Sequence, residues 1–390
     1  MLPPELYTVA EIATFSKLTL RANEHEFVDY LDTGNLTEGL IQSLEHYSDL
    51  SKLPSRAKKI VIEGDILFST VRPNNRHYGI IHGNSKNLVV STGFSVIRAN
   101  RNIVLPEYLY YHLTSNSTVE LLQSIAEQSV SAYPSINDSD IGKLEFKIPD
   151  TQIQKAVIKI IESINQKLSI NREINANLHD QIFSEFQYVR KSNKLNEVVL
   201  MDLCSFISRG VSPKYENNTG YWVLGQTCIR NHIVSMNNAR TLISKDYGDK
   251  TVHKGDILVN STGVGSLGRV AQLWFEHPHL VADSHISIVR PKISYEEYLG
   301  CFMMSIEDEI ENMAEGSTGQ TELPRRSLMQ MMISIPEMDV LKSFGEKVRP
   351  LFDLMYKNLE INEKLTKIRD TLLPKLMSGE IDVSQLDLGD

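Results

Sequence analysis

One stretch of the chain looks built for chemistry. Gly263, Gly265 and Gly268 stand in STGVGSLG, and Asp283 follows downstream. Glycines at this spacing after a strand, with an acid further on, are what a dinucleotide site uses. That chemistry needs a helix directly after the glycines, because the helix N-terminus holds the pyrophosphate. Here RVAQLWFEHPH follows, and its alternation, its aromatics and Pro278 read as a strand. The expected structure is a flexible hairpin loop that comes close to something large. A nucleotide-dependent enzyme using Gly263–Gly268 stays as an alternative.

DNA fits the loop better. Arg bidentate to guanine and Asn or Gln bidentate to adenine are common base-edge contacts, and hydroxyls and backbone amides suit phosphates. Such residues cluster in loops that recur at matching places. The first pair is STVRPNNRH, with Ser69, Arg72, Asn74, Asn75 and Arg76, and NSTGVGSLGR, with Asn260, Ser261, Thr262, Ser266 and Arg269. The second pair is SVSAYPSIN, with Ser131 and Tyr133, and GSTGQTELPRR, with Ser317, Thr318, Gln320, Arg325 and Arg326. A fifth candidate, SRGVSPKY, holds Arg209, Lys214 and Tyr215. Singly, such residues are ordinary solvated surface. Their recurrence on a matching frame is the stronger signal.

Catalytic constellations are missing from the sequence. There is no H-E-x-x-H, no G-x-S-x-G and no G-x-x-x-x-G-K-[ST], and none of the 11 His has a metal-site pattern. Asp65 and Asp256, each after a Gly, are expected to shape turns. Cys204, Cys228 and Cys301 lie far apart without C-x-x-C, which suits buried thiols in a reducing cytoplasm. No secretory signal and no apolar run long enough to span a membrane is visible. The net charge of −9 argues against a non-specific nucleic-acid coat. It leaves room for a reader with its cations on one face, or one that binds within a larger assembly.

The elements that must position these loops form a duplicated plan. At 390 residues, two to three domains are expected. EGDILFST recurs as KGDILVNS, STGFSVIR as ADSHISIVR, and EFKIP as MISIP. The domains expected are 1–149 and 195–336, both mixed α/β, with helical spacers at 150–194 and 337–390. Pro106 should open a helix, and another is expected around Val119–Ala126.

The first spacer carries Val157, Ile161, Ile164, Leu168, Asn171, Asn175, Leu178 and Ile182 at alternating steps of four and three. This is the heptad rhythm of a coiled-coil strand, and a helix this long spans on the order of 55 Å. The second repeats it with Phe344, Val348, Leu351, Met355, Asn358, Asn362, Leu365 and Leu372. Asn171 and Asn175 are expected to meet Asn358 and Asn362 across an antiparallel pair and fix its register. The alternative places these Asn at a hydrated seam edge. Gly345 and Pro350 should interrupt the second helix early, Pro350 by kinking it or marking its true start, and Pro374 should do the same late, with Gly379 as its C′ residue. The fold class expected is therefore α+β: two tandem α/β domains separated by two long antiparallel helices, pseudo-twofold. In that arrangement the tail returns toward the first domain.

The duplicated G-D-I-L strand (Gly64–Leu67, Gly255–Leu258), the I-P ending of each domain, the G-S-T-G-Q loop (Gly316–Gln320) and the tail LLPKLMSGEI (Leu372–Ile381) together resemble the specificity subunit of type I restriction-modification systems. The resemblance covers the whole chain. It implies two target recognition domains, each reading half of a split DNA site. The helices would act as a ruler and as docking surface for two methyltransferase subunits, with a separate motor-nuclease subunit to cut. S-adenosylmethionine would sit on the partners and no cofactor or catalysis on this chain. The first domain has EQSVSAYPS in place of G-S-T-G-Q. A DNA-recognition subunit of another restriction class would look much the same.

Overall fold

The computed structural model describes residues 4–21, 25–83, 85–128, 134–316 and 321–383. Contacts divide the chain into two units, 1–168 with 364–390, and 169–363, so each unit holds part of both long helices.

The first unit is built on an antiparallel sheet ordered Ala13–Phe15, Phe94–Ala99, Ile66–Ser69, Tyr78–Ile80. All four residues of Ile66–Ser69 are buried, because the strand is covered on both faces. Ile66 and Phe68 point into the core that receives Val157 and Ile161 of the first long helix. Leu67 points into a second core with Leu31, Val90 and Phe94. Those residues belong to or adjoin a second sheet, Glu45–Tyr47, Val28–Leu31, Leu88–Ser91, Ala57–Ile60. The expected helices are present as Pro106–Leu113, with Pro106 in its first turn, and Asn116–Glu127. Ile381 and Val383 pack into the first unit's core, so the start of the tail lies where the sequence placed it. The remainder of the tail is outside the described residues.

The second unit repeats the plan. Its sheet runs Cys204–Arg209, Ile286–Pro291, Ile257–Asn260, Val270–Gln272. Ile257 and Val259 face a core shared with Leu178, Ile182, Phe186, Phe344 and Val348 of the long helices. Leu258 faces the opposite core. The second sheet has three strands, Arg240–Thr241, Trp222–Leu224, Leu280–Ala282. Trp274 stacks on Phe352 at 4.3 Å, and Phe186 meets Tyr298 edge-on at 5.1 Å. The repeated acids do more than shape turns. Arg98 donates twice to Asp65, each at 2.8 Å, and Arg290 donates twice to Asp256, also at 2.8 Å. Asp65 also accepts from Ile62 N, and Asp256 from His253 N, as the turn reading expects.

The first long helix spans Thr151–Ser192 and the second Met338–Ser378. Asp150 caps the first by accepting from Gln152 N and Ile153 N. The second helix runs on through Gly345, Pro350 and Pro374, so none of them starts or ends it. Pro350 and Pro374 are exposed, so the carbonyls they leave without an N–H partner lie toward water. Val348 and Phe352, on either side of Pro350, are buried in the second unit's core. Gly345 serves a close approach instead, since a Cβ there would lie 3.0 Å from Glu297 Oε2. Gly379 has φ +77°, as a C′ glycine should.

The polar seam forms within the second unit. Asn171 Nδ2 donates to Asn362 Oδ1 at 2.8 Å, and Asn358 Nδ2 to Asn175 Oδ1 at 2.9 Å. Asn175 Nδ2 also reaches the Met355 carbonyl at 2.9 Å. Numbers rise on one helix as they fall on the other, so the pair is antiparallel. Asn171, Asn175 and Asn358 are buried, which rules out the hydrated-edge alternative for them. No helix among the described residues is long and apolar enough to cross a membrane.

Candidate nucleic-acid interface

In both units the central strand ends in a polar loop, and a second loop is stitched to it. In the first unit Val71 bridges Ser135, Ile136 N donates to Thr70 O at 2.8 Å, and Arg72 N donates to Pro134 O at 3.0 Å. In the second, Thr262 bridges Glu322, and Leu323 N donates to Ser261 O at 2.8 Å. The two loop pairs read from sequence are therefore joined at equivalent places in both units.

In the first unit Arg72, Asn74 and Asn75 are exposed. Arg72 and Arg76 adopt positive φ at either end of a single turn, Pro73–Asn75. Asn74 N donates to Gln123 Oε1 at 3.1 Å, which fixes that turn to the helix Asn116–Glu127. Arg76 is committed: it donates to Asn116 Oδ1 at 2.8 Å and lies 3.4 Å from Glu38.

In the second unit Thr262, Ser266 and Arg269 lie at least partly at the surface, with Val264 fully outward between them. Arg269 donates to the Gly265 carbonyl at 2.6 Å. The loop runs directly into the strand Val270–Gln272. No helix N-terminus follows the glycines, so the pyrophosphate grip of a dinucleotide site is not built here. Gly268 closes the loop with φ +87°, and a Cβ there would sit 2.9 Å from the Glu307 carbonyl. Asp283, the candidate ribose acid, accepts from His285 N at 2.8 Å, and burial raises its carboxyl above the usual range.

Three of the expected contacts are corrected. Ser69, Asn260 and Ser261 are buried. Ser69 Oγ donates to the Val71 carbonyl, Asn260 Nδ2 to the Gln226 carbonyl, and Ser261 Oγ meets Ser287 Oγ at 2.7 Å. They are the last residues of their strands, or the first beyond, and the sheet covers them. They shape the loops without facing solvent. Lys214 and Tyr215 are exposed but stand apart from this cluster, beside the three-stranded sheet. There Tyr215 pairs with Leu242, and the Arg240 guanidinium lies 3.4 Å over its ring. Arg325 and Arg326 are exposed at the start of the short helix Arg325–Met329. Ser131, Tyr133, Ser317, Thr318 and Gln320 lie outside the described residues.

Arg209, a candidate from the sequence, is engaged within this loop pair, and Gln226 and His285, which sequence reading passed over, join it. Arg209 Nη2 donates to Glu322 Oε1 and to the Leu323 carbonyl, each at 2.7 Å, and burial lowers the Arg209 pKa. Gln226 Nε2 donates to the Thr262 carbonyl and, at 3.1 Å, to Thr262 Oγ1. His285 Nδ1 meets the same hydroxyl at 2.8 Å. Three segments thus converge on Thr262 from distant points in the chain, a convergence that no local spacing announces.

An open hollow of about 640 Å³ lies at the opposite ends of these strands, lined by Lys254, Arg290 and Lys292 among others. Its cations are already engaged, with Asp353, Asp256 and the Asp202 carbonyl respectively. Among the described residues no group of three or more His, Cys, Asp or Glu could hold a metal ion.

Comparison with known proteins bears on this arrangement. The family model for the type I restriction modification DNA specificity domain matches residues 5–180. The HindI specificity subunit of Haemophilus influenzae is 25% identical over 456 residues, covering 96% of this chain and 99% of that protein. The MjaIX specificity subunit of Methanocaldococcus jannaschii is 23% identical, covering 84% and 80%. The crystal structure of a type I system S subunit from M. genitalium superposes with a TM-score of 0.58 at 16% identity, over 97% of this chain and 96% of that one. That likeness shows a shared fold.

Proposed function

We propose that this chain, similar to the specificity subunits of type I restriction-modification systems, is one of them, recognises a split DNA site and carries no catalysis of its own. Each domain reads one half-site through its pair of stitched loops. The observation that carries this reading is their equivalence. Val71 with Ser135, and Thr262 with Glu322, join the same two loops in both domains. Two readers on one chain bind with a high effective concentration for the second half-site.

The long helices act as a ruler and as docking surface for methyltransferase subunits, two per chain. S-adenosylmethionine belongs to those partners, and cleavage to motor-nuclease subunits. The complex works in the cytoplasm, where its DNA is. Partner subunits supply phosphate contacts that a chain of net charge −9 does not provide alone.

Methylome sequencing of the host with and without the chain tests this. A bipartite methylated motif should vanish on deletion, and a motif that persists unchanged would overturn the reading. The ruler has its own test. One helical turn inserted after Leu178, with a matching turn in the second helix, should change the spacer and leave both half-sites as they were. An unchanged spacer would defeat it.

A further inference from the structure

We propose that Gln226 is a positioning residue that sets which bases the second domain accepts, by holding the loop Asn260–Arg269 in one shape. The inference rests on the DNA-reading function proposed above. Gln226 opens the one-turn helix Gln226–Cys228, directly after the strand Trp222–Leu224. Its contacts grip the loop where it leaves the sheet. The side-chain amide donates to the Thr262 carbonyl and to Thr262 Oγ1, and the Gln226 carbonyl accepts from Asn260 Nδ2 at 3.1 Å.

Gly263 is the complement of this grip. It has φ +97°, and a Cβ there would lie 2.7 Å from Gln226 Nε2. The glycine both makes the turn and leaves the space in which the amide lies. Beyond it, Val264 is 87% exposed and Gly265 also has positive φ. A loop of this composition has many accessible shapes unless it is anchored. An anchored loop presents its donors and acceptors in one arrangement, and discrimination between bases depends on that arrangement.

The two domains differ at this point. In the first, the equivalent turn is Thr33–Asn35, after the strand Val28–Leu31. Its opening residue, Thr33, lies with its methyl against Gly93, where a Cβ would come within 2.9 Å. The same structural position thus grips the loop after the central strand in one domain and packs on a neighbouring turn in the other. Two domains on one frame that read different half-sites need differences of this kind.

The test uses the complete complex in its host. Gln226→Glu keeps the shape but sets a carboxylate oxygen against the Thr262 carbonyl, and Gln226→Ala removes the grip. Methylome sequencing should show one half of the motif becoming degenerate, with occupancy at substituted sites rising about tenfold over the parent. The other half and the spacer should stay sharp. Thr33→Ala should leave that degenerate half as it is in the parent. A motif unchanged in both Gln226 variants overturns the proposal, as does equal degeneracy in both halves. If methylation is lost altogether, the purified chains decide. A variant that melts like the parent yet no longer prefers the motif to random DNA supports the proposal, and one that melts well below it shows a merely structural role and overturns it. A parent complex with no bipartite motif would count against DNA reading itself, not against Gln226.

Discussion

Asn175 and Asn358 offer a direct measure of the helix seam. Their side chains share a 2.9 Å hydrogen bond, and both residues are buried. Asn175→Leu strips Asn358 Nδ2 of its acceptor inside the seam. A buried donor left unpaired costs about 1–3 kcal/mol. Asn358→Leu leaves Asn175 Oδ1 in the same position, though Asn175 Nδ2 keeps the Met355 carbonyl at 2.9 Å. The double variant has no orphan and sets Leu against Leu, as apolar seam positions prefer. The singles should therefore be non-additive by about 1–3 kcal/mol, with the double variant at least as stable as the better single. Urea unfolding of the four chains, followed by circular dichroism, gives the coupling. Additivity within about 0.5 kcal/mol would refute the reasoning, because residues that do not touch behave that way.

Two further perturbations probe the domains. Burial drives the His112 pKa down to about 3, and its Nε2 has no hydrogen-bond partner. Below the ordinary value near 6.5 the unfolded chain takes up a proton that the native chain refuses. Stability should then fall by about 1.4 kcal/mol per pH unit from about 6.5 down to about 3. His112→Phe, which keeps the stacking on Phe146, should spare about 2 kcal/mol of the loss between pH 6.5 and pH 5 in urea titrations; equal slopes for both chains would contradict this. Asp256→Asn leaves Arg290 in a mostly buried site without its bidentate partner and should cost about 3–5 kcal/mol. Asp256→Asn with Arg290→Met should cost clearly less when both are measured by urea unfolding, and an equal loss would show that the pair is not coupled.

Where sequence reading failed, the failure has a common form. Pro350 looked like a break because a proline removes one backbone donor, yet on the exposed face of a well-packed helix the backbone passes through it. Ser69, Asn260 and Ser261 looked like loop contacts because of their type, but they sit where the sheet still covers the chain. Asp65 and Asp256 gave away their turns but not Arg98 and Arg290, which stand on another strand. Nothing local marks Gln226 as a neighbour of Thr262.

What is periodic or repeated could be read from the residues alone. Apolar residues at steps of three and four make one face of a helix whatever surrounds it. A polar pair recurring in two such faces specifies how they meet, and a doubled order of strands specifies two like domains. Which loops touch, which polar groups are sealed from water and which segment grips another emerged with the folded chain. Those outcomes depend on contacts between residues far apart in the chain. They exist only once the two sheets and the helices have closed around their cores.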